Sequence, residues 1–433
     1  MNKIRNLKFF GLVCILAFAL VIIGFHFLQA QVKATGKPAP PPPALLPLIP
    51  GDIITTESDA LSVWRYPSDV PIWTKKTGSY YNQVAVGDVD SDGKSEIVVP
   101  VSKGKGSAFK IFIDVYKEGS GIPLSSENYS PGYFTDPSTV ICDVKVANVI
   151  PEDAGQINEI VLLHWYNLVI FKWDGTNFRI VKRIQARRTD LPIVSYNGMT
   201  TKNFDNDPEE EIFVSGKDTY SGTGYIYKID MYKDTKYDIS QIGSTIDCPI
   251  ENIIIGYSLR VADLDGDSAL EICLPGFLEI RPADVSYWKA YLLVLDQGQW
   301  NSTIIPGYEP EKHAYPYIAL DVGELDSTLL GEEIALYVNQ KEVADYYLYV
   351  FKYPFPNNNA PPSGEYRLQD ADSIRDIKIG NILSGNKIVV CGNAPPLKGK
   401  IFRKYFEVFD TLMISYWHVF GESGSIIDLA IVN

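Results

Sequence analysis

One pattern recurs seven times along the 433 residues: an apolar alternation runs into an acidic loop, and the loop into Glu-Ile or a like pair. It predicts an all-β chain, a seven-bladed β-propeller closed by N- and C-terminal strands that share the last blade, preceded by one N-terminal hydrophobic helix. Three observations carry this. Taking Asp88 of the run Val-Ala-Val-Gly-Asp-Val-Asp-Ser-Asp-Gly-Lys-Ser-Glu-Ile (84–97) as anchor, the equivalent positions are Asn148, Asn203, Asp263, Glu324, Asn381 and Asn433, 52 to 61 residues apart. Residues four and two before the anchors are mostly apolar (Val84/Val86, Val144/Val146, Leu259/Val261, Leu320/Val322, Ile377/Ile379, Leu429/Ile431), and the residue just before is usually small. Finally, the last copy stops at the end of a first strand, and what it lacks stands at the other end of the chain.

The second repeat shows the layout of one blade: strand A at Ile141–Ala147, B at Glu159–His164, C at Leu168–Trp173 and D at Phe178–Ile184, with Asp174-Gly175 as a hairpin signal between C and D. Equivalent C strands are expected at Lys110–Tyr116, Tyr225–Met231, Tyr291–Asp296, Leu348–Tyr353 and Tyr405–Asp410. At the N-terminus, Asp52-Ile53-Ile54-Thr55 reads as a B strand. Leu61-Ser-Val-Trp-Arg-Tyr-Pro67 matches the C strand Leu348-Tyr-Val-Phe-Lys-Tyr-Pro354, and Val70–Thr74 can supply D. These three complete the blade whose A strand is Ile426–Val432, which removes the sheet edges an open array would expose.

The acidic loops have the chemistry of a calcium site. Ca²⁺ takes six to eight oxygens, and short loops supply them from alternating positions. The first loop offers Asp88, Asp90 and Asp92 at positions 1, 3 and 5, Gly93 for the turn, the Lys94 carbonyl at position 7 and Glu96 at position 9. The fourth offers Asp263, Asp265, Asp267, the Ala269 carbonyl and Glu271, with Ser268 where glycine is expected, at a cost in backbone strain. The third offers Asn203, Asp205, Asp207 and Glu211, but Pro208 stands at the glycine position and cannot take positive φ, so this site is either differently shaped or weak. The fifth keeps Glu324 and Asp326 but loses a carboxylate and gains a residue, and the second and sixth read as plain turns. The alternative for all of them is Asp/Gly-rich turns without metal.

The Asp-x-Asp-x-Asp-Gly-x-x-Glu-Ile loops resemble FG-GAP/VCBS repeats, the family that builds integrin-α-like β-propellers. The likeness spans residues 52–433 and is full in two copies. It implies an extracytoplasmic, calcium-loaded propeller used for binding, without naming a ligand.

A formal charge of −14 argues against nucleic acid as a partner. Residues 1–34 read as a signal peptide or signal anchor: Lys3, Arg5 and Lys8 precede the apolar run 9–28, which places the rest of the chain outside the cytoplasm. Twenty apolar residues suit a spanning helix, yet Ala30 and Val32-Lys-Ala34 suit cleavage, so both a membrane-anchored and a secreted or periplasmic product stay open. Residues 35–50, with Pro38 and Pro40–Pro43, form a semi-rigid linker to the propeller at 51–433. Cys142, Cys273 and Cys391 are expected as buried thiols, with Cys248–Cys273 the one plausible bridge. His164, His313 and His418 lie in or beside strands with no partner motif, and no hydrolase or zinc signature occurs. Tyr315 and Tyr317 are candidates for lining a glycan or protein site. Three functions remain: a calcium-stabilised binding or adhesion module for protein or glycan, a polysaccharide-degrading lyase or hydrolase, and a scaffold subunit of an envelope complex. Basic and aromatic residues gathered at the ring centre would favour the enzyme.

Overall fold

The computed structural model describes residues 46–433, apart from 104–109, 119–122, 130–140, 152–156, 187–194, 219–222, 281–286, 307–317, 339–345, 356–359, 395–402, Asn433 and connecting segments of one to three residues. The expected helix over the leader, His313, Tyr315 and Tyr317 lie outside the described residues. Among those described, no helix is long and apolar enough to cross a membrane.

Seven antiparallel sheets each run from strand A to strand D, six of them in chain order. The second blade shows why. Ile160, Leu162, Leu168 and Ile170 are fully buried in strands Glu159–His164 and Asn167–Trp173. Asp174 turns the chain by accepting the Thr176 and Asn177 N–H groups at 2.9 and 2.8 Å. The following strand, Phe178–Gln185, alternates toward solvent, as an outer strand should. Strand A is broken in two blades, into Tyr80–Tyr81 with Ala85–Gly87 and Ile254–Ile255 with Arg260–Ala262.

The A strands touch in sequence around the centre. Ala85–Gly87 meets Ile141–Ala147, then follow Ser195–Lys202, Arg260–Ala262, Ile318–Gly323, Ser373–Asn381 and Ile426–Ile431, which returns to Ala85–Gly87. The ring is closed. The last blade is composite: Ile53–Glu57 pairs with Ile426–Ile431 in the register Ile53↔Ile431, Ile54↔Ala430, and Ala60–Trp64 and Trp73–Lys76 follow outward. Its fourth strand starts later than expected at Val70, because the turn after Tyr66 is longer; Val70 is exposed in that turn, and the Ile72 N–H reaches Val63 O at 2.8 Å before the strand begins.

The small residue before each anchor now has a cause. A Cβ on Gly87 would lie 2.5 Å from Val146 of the next blade; on Gly323 it would meet Ile379 at 2.7 Å and on Gly380 Ile431 at 2.9 Å. The inner strands taper together there, and each glycine receives the apolar side chain of its neighbour. The core is correspondingly split into clusters between blades. One packs Tyr349 and Phe351 against Leu292 and Val294. Cys248, Cys273 and Cys391 are buried free thiols, so the Cys248–Cys273 bridge does not form. The last linker residues touch the propeller: Pro47 O accepts from Arg65 at 2.9 Å, and Leu48 packs against the core cluster that includes Ile54.

Candidate metal centres in the A–B loops

The acid that opens strand B has one task in six blades. Its carboxylate accepts the N–H of a loop residue and folds the loop back on the strand. Glu96 takes Val89 N at 3.1 Å, Glu159 takes Val149 N at 3.0 Å, Glu211 takes Phe204 N at 2.6 Å, Glu271 takes Leu264 N at 2.7 Å and Glu333 takes Leu325 N at 2.8 Å. In the composite blade Asp52 takes Ile49 N at 3.0 Å. The position-5 carboxylates cap the turn in the same way: Asp92 accepts Lys94 N at 2.9 Å, Asp207 accepts Glu209 N at 3.0 Å and Asp267 accepts Ala269 N at 2.7 Å. Asp88 holds Gly93 N and Asp263 holds Ser268 N. Gly93 sits at φ +82° and Ser268 at +71°, so the serine takes the strained conformation the loop demands.

These bonds leave oxygens without donors. Asp88, Asp90 and Glu96 bring one carboxylate oxygen each within 4.8 Å of one another, and so do Asp263, Asp265 and Glu271. Glu96 Oε1, Glu271 Oε1 and Asp90 Oδ1 are buried with no hydrogen-bond partner. Glu96 is 0 % and Glu271 1 % exposed. Burial pushes both up to about 7, with the neighbouring aspartates adding to it. A buried acceptor with no donor costs about 1–3 kcal/mol, more when charged, and a hard cation removes that cost. Asp92 and Asp267 stand outside the two groups.

The third loop is differently shaped. Its group is Asp205, Glu211 and Asp230. Asn203 donates to the Asp207 carbonyl, and the Pro208 carbonyl is held by Asn148 of the preceding blade at 3.1 Å. Asn203 and Asp207 therefore brace the turn, and Asp230, on strand Gly224–Lys233, joins the group where the other loops use their first aspartate. It stands directly across from Glu211 in the strand register, which spacing in the sequence does not reveal. In the fifth loop Asp326 is occupied by Thr328 and Glu333 pairs with Lys352 at 3.4 Å.

The ring centre is charged. A cavity of about 340 Å³ is lined by inner-strand residues including Lys145, Thr200, Arg260, Asp321 and Lys378, and a second of about 90 Å³ shares Lys145, Arg260 and Lys378. No aromatic residue among those described lines either. Three of the cations there have a carboxylate: Lys145–Asp143 at 2.7 Å, Arg260–Asp321 at 2.5 Å, Lys378–Asp376 at 2.5 Å. Two of these carboxylates, together with Asp428, fasten neighbouring blades. Asp321 accepts Ile379 N at 2.7 Å, Asp376 accepts Leu429 N at 3.4 Å and Asp428 accepts Val84 N at 2.8 Å.

Asp376 and Asp428 face each other, and burial together with Asp376 raises Asp428 well above the usual carboxylate range, so the pair holds one proton. Lys378 and Arg260 keep Asp376 ionised. The unfolded chain releases both protons near pH 4. Between that pH and the raised value the folded state binds the extra proton, so stability falls as pH rises through this window. Asp428→Asn keeps the acceptor for Val84 and offers an amide to Asp376. Urea unfolding should show the variant near wild type at pH 4 and at least as stable at pH 8; an equal loss at both would refute proton sharing.

His164 is fully buried and its pKa falls to about 4 through burial and nearby Arg183, which suits a structural role.

No known protein family description matches the chain, and neither does any curated protein. Solved structures do. The chain is similar to the N-terminal domain of Nup159 (12 % identity over 81 % of this chain and 87 % of that one, TM-score 0.42). It is similar to the Dos1 propeller (10 %, 88 % and 89 %, 0.44) and to the α-L-arabinofuranosidase Arb93A of Fusarium graminearum (10 %, 86 % and 98 %, 0.43). Likenesses this distant carry nothing about activity, and the blade count rests on the strand pairing above.

Proposed function

We propose that the chain is a calcium-stabilised β-propeller that works outside the cytoplasm as a binding or adhesion module for protein or glycan. The observation that carries the metal is the pair of converging carboxylate groups with buried, donorless Glu96 Oε1 and Glu271 Oε1. The metal in this reading is structural: Glu96 and Glu271 are buried at the base of their loops, and Ca²⁺ activates water poorly compared with zinc. The resemblance to FG-GAP/VCBS repeats supports the same reading, as does an acidic surface suited to divalent cations. The leader, as anchor or cleaved signal, together with the proline-rich linker would place the disc at the cell surface or in the periplasm.

A polysaccharide-degrading enzyme is the second reading, favoured by Lys145, Arg260 and Lys378 at the centre. It has half the expected signature, since these cations are paired and no described aromatic accompanies them. Screening the purified protein against glycan arrays and envelope proteins, with calcium and with chelator, decides between them. Retained ligand that is not chemically altered, and whose capture weakens with chelator, supports the binding module. Cleaved glycan, or a screen without a single ligand, would overturn it.

A further inference from the structure

We propose that one position at the end of strand C, directly across from the acid that opens strand B, decides how each A–B loop is neutralised. Lys117 is the built-in cation of the first loop, whereas Asp296 leaves the fourth loop to metal, so calcium binds first and most tightly at Asp263–Glu271. The inference rests on the calcium reading and orders its sites.

The register makes the position explicit. Ile97↔Tyr116 sets Glu96 across from Lys117. Ile160↔Phe171 sets Glu159 across from Lys172, and Ile334↔Phe351 sets Glu333 across from Lys352. Ile53↔Trp64 sets Asp52 across from Arg65. In these four blades the acid has a cation opposite. Two of the pairs are direct: Arg65 grips both oxygens of Asp52 at 2.7 Å, and Lys352 lies 3.4 Å from Glu333. The sixth blade reverses the pair, Lys387 across from Asp410. Only the third and fourth place acid against acid, Glu211 with Asp230 and Glu271 with Asp296.

In the first loop Lys117 Nζ lies 2.6 Å from Asp90 and 2.6 Å from Asp92. It spans two of the carboxylates that the sequence offers to calcium, so a metal must displace it. In the third loop Lys228 stands at 3.7 Å from Asp205 and 4.0 Å from Asp230, an intermediate case. Among the described residues no lysine or arginine pairs with Asp263, Asp265, Asp267 or Glu271. The neutral amide of Gln297 reaches Asp267 at 3.4 Å, and Asp296, fixed by the Tyr353 hydroxyl at 2.7 Å, adds a further negative charge beside the group. Glu271, 1 % exposed with Oε1 donorless, lies within this uncompensated field. An internal ammonium and a divalent ion are alternative solutions to the same repulsion.

The test is calorimetric calcium titration of the chelator-stripped full chain and five variants, each checked for its β-sheet spectrum. Wild type and Asp90→Asn should share the tightest site, and Asp265→Asn should lose it. Lys117→Met should tighten the first-loop site tenfold or more, and adding Asp90→Asn should cancel the gain. Lys94→Met removes the same charge from an exposed pair with Glu118 (2.7 Å) and should change little, which separates pairing from net charge. Loss of the tightest site in Asp90→Asn, or equal effects of Lys117→Met and Lys94→Met, overturns the inference while leaving calcium intact. Absence of calcium binding in every protein overturns the metal reading and the ordering with it.

Discussion

Calcium added to the chelator-stripped protein should raise its melting temperature by several degrees, and chelator should reverse the rise. A ligand that binds the folded state alone stabilises it by about 2.7 kcal/mol at a hundredfold excess over Kd. The fourth loop should supply most of this. Its carboxylates have no internal cation, and its Asp263 carbonyl also receives the Glu332 N–H of the next blade at 2.8 Å, so ordering this loop tightens the seam between blades 4 and 5. Asp265→Ala should therefore remove the greater part of the calcium effect and Asp90→Ala a smaller part. The two losses should add, because the loops sit on separate blades and share no partner. Scanning calorimetry with and without 1 mM-scale calcium reads both effects. A melting point indifferent to calcium and to chelator, with no heat of binding, would return the loops to ordinary acidic turns.

The ring was legible in the chain because its period is carried by residues with fixed jobs. The Glu-Ile start of strand B recurs because that glutamate folds each loop onto its strand, a local bond over seven to ten residues. The glycine before the anchor recurs because a side chain of the next blade fills its place. The split blade was legible from Trp-Arg-Tyr-Pro at 64–67 against Phe-Lys-Tyr-Pro at 351–354, and the structure shows that its basic residue faces the strand-B acid in both.

What escaped was whatever depends on cross-strand register. Lys117 and Asp230 lie 21 and 19 positions after the acids they face, and the B–C connection varies in length, so spacing alone does not align them. The paired charges of the ring centre escaped for the same reason. Arg260, Asp321, Lys378 and Asp428 come from different repeats, and each alone reads as one polar residue in an alternating strand. Pro208 marks the third loop as unlike the others, yet Asp230, the acid that stands in its group where Asp88 and Asp263 stand in theirs, comes from another strand.

Removal of residues 51–76 should unfold or aggregate the domain, whereas removal of 1–45 should leave it soluble with a cooperative melt. The segment contributes three of the four strands of the composite blade. Ile53, Ile54, Leu61, Val63, Trp64 and Trp73 are each at most 3 % exposed. At about 2 kcal/mol per buried side chain their loss removes about 12 kcal/mol, comparable with the whole stability of a typical domain. The damage reaches both neighbours. Trp64 packs edge-on against Phe406 of the sixth blade at 5.2 Å, Glu57 pairs with Lys404 there at 2.5 Å, and Trp73 meets Tyr116 of the first blade at 5.8 Å. Strand Ile426–Ile431 would keep its place in the ring with its pairing edge open, having lost partners from Ile53 to Glu57 and the Gly51–Val432 bond at 2.8 Å. An apolar strand with an unpaired edge recruits other chains, so the truncated protein should elute as aggregate or be degraded. Residues 46–50 must stay, since Pro47 and Leu48 contact Arg65 and the core under Ile54. Size-exclusion chromatography and thermal melts of the two truncations read the result, and a monomeric, cooperatively melting protein without 51–76 would show that six blades close without the seventh.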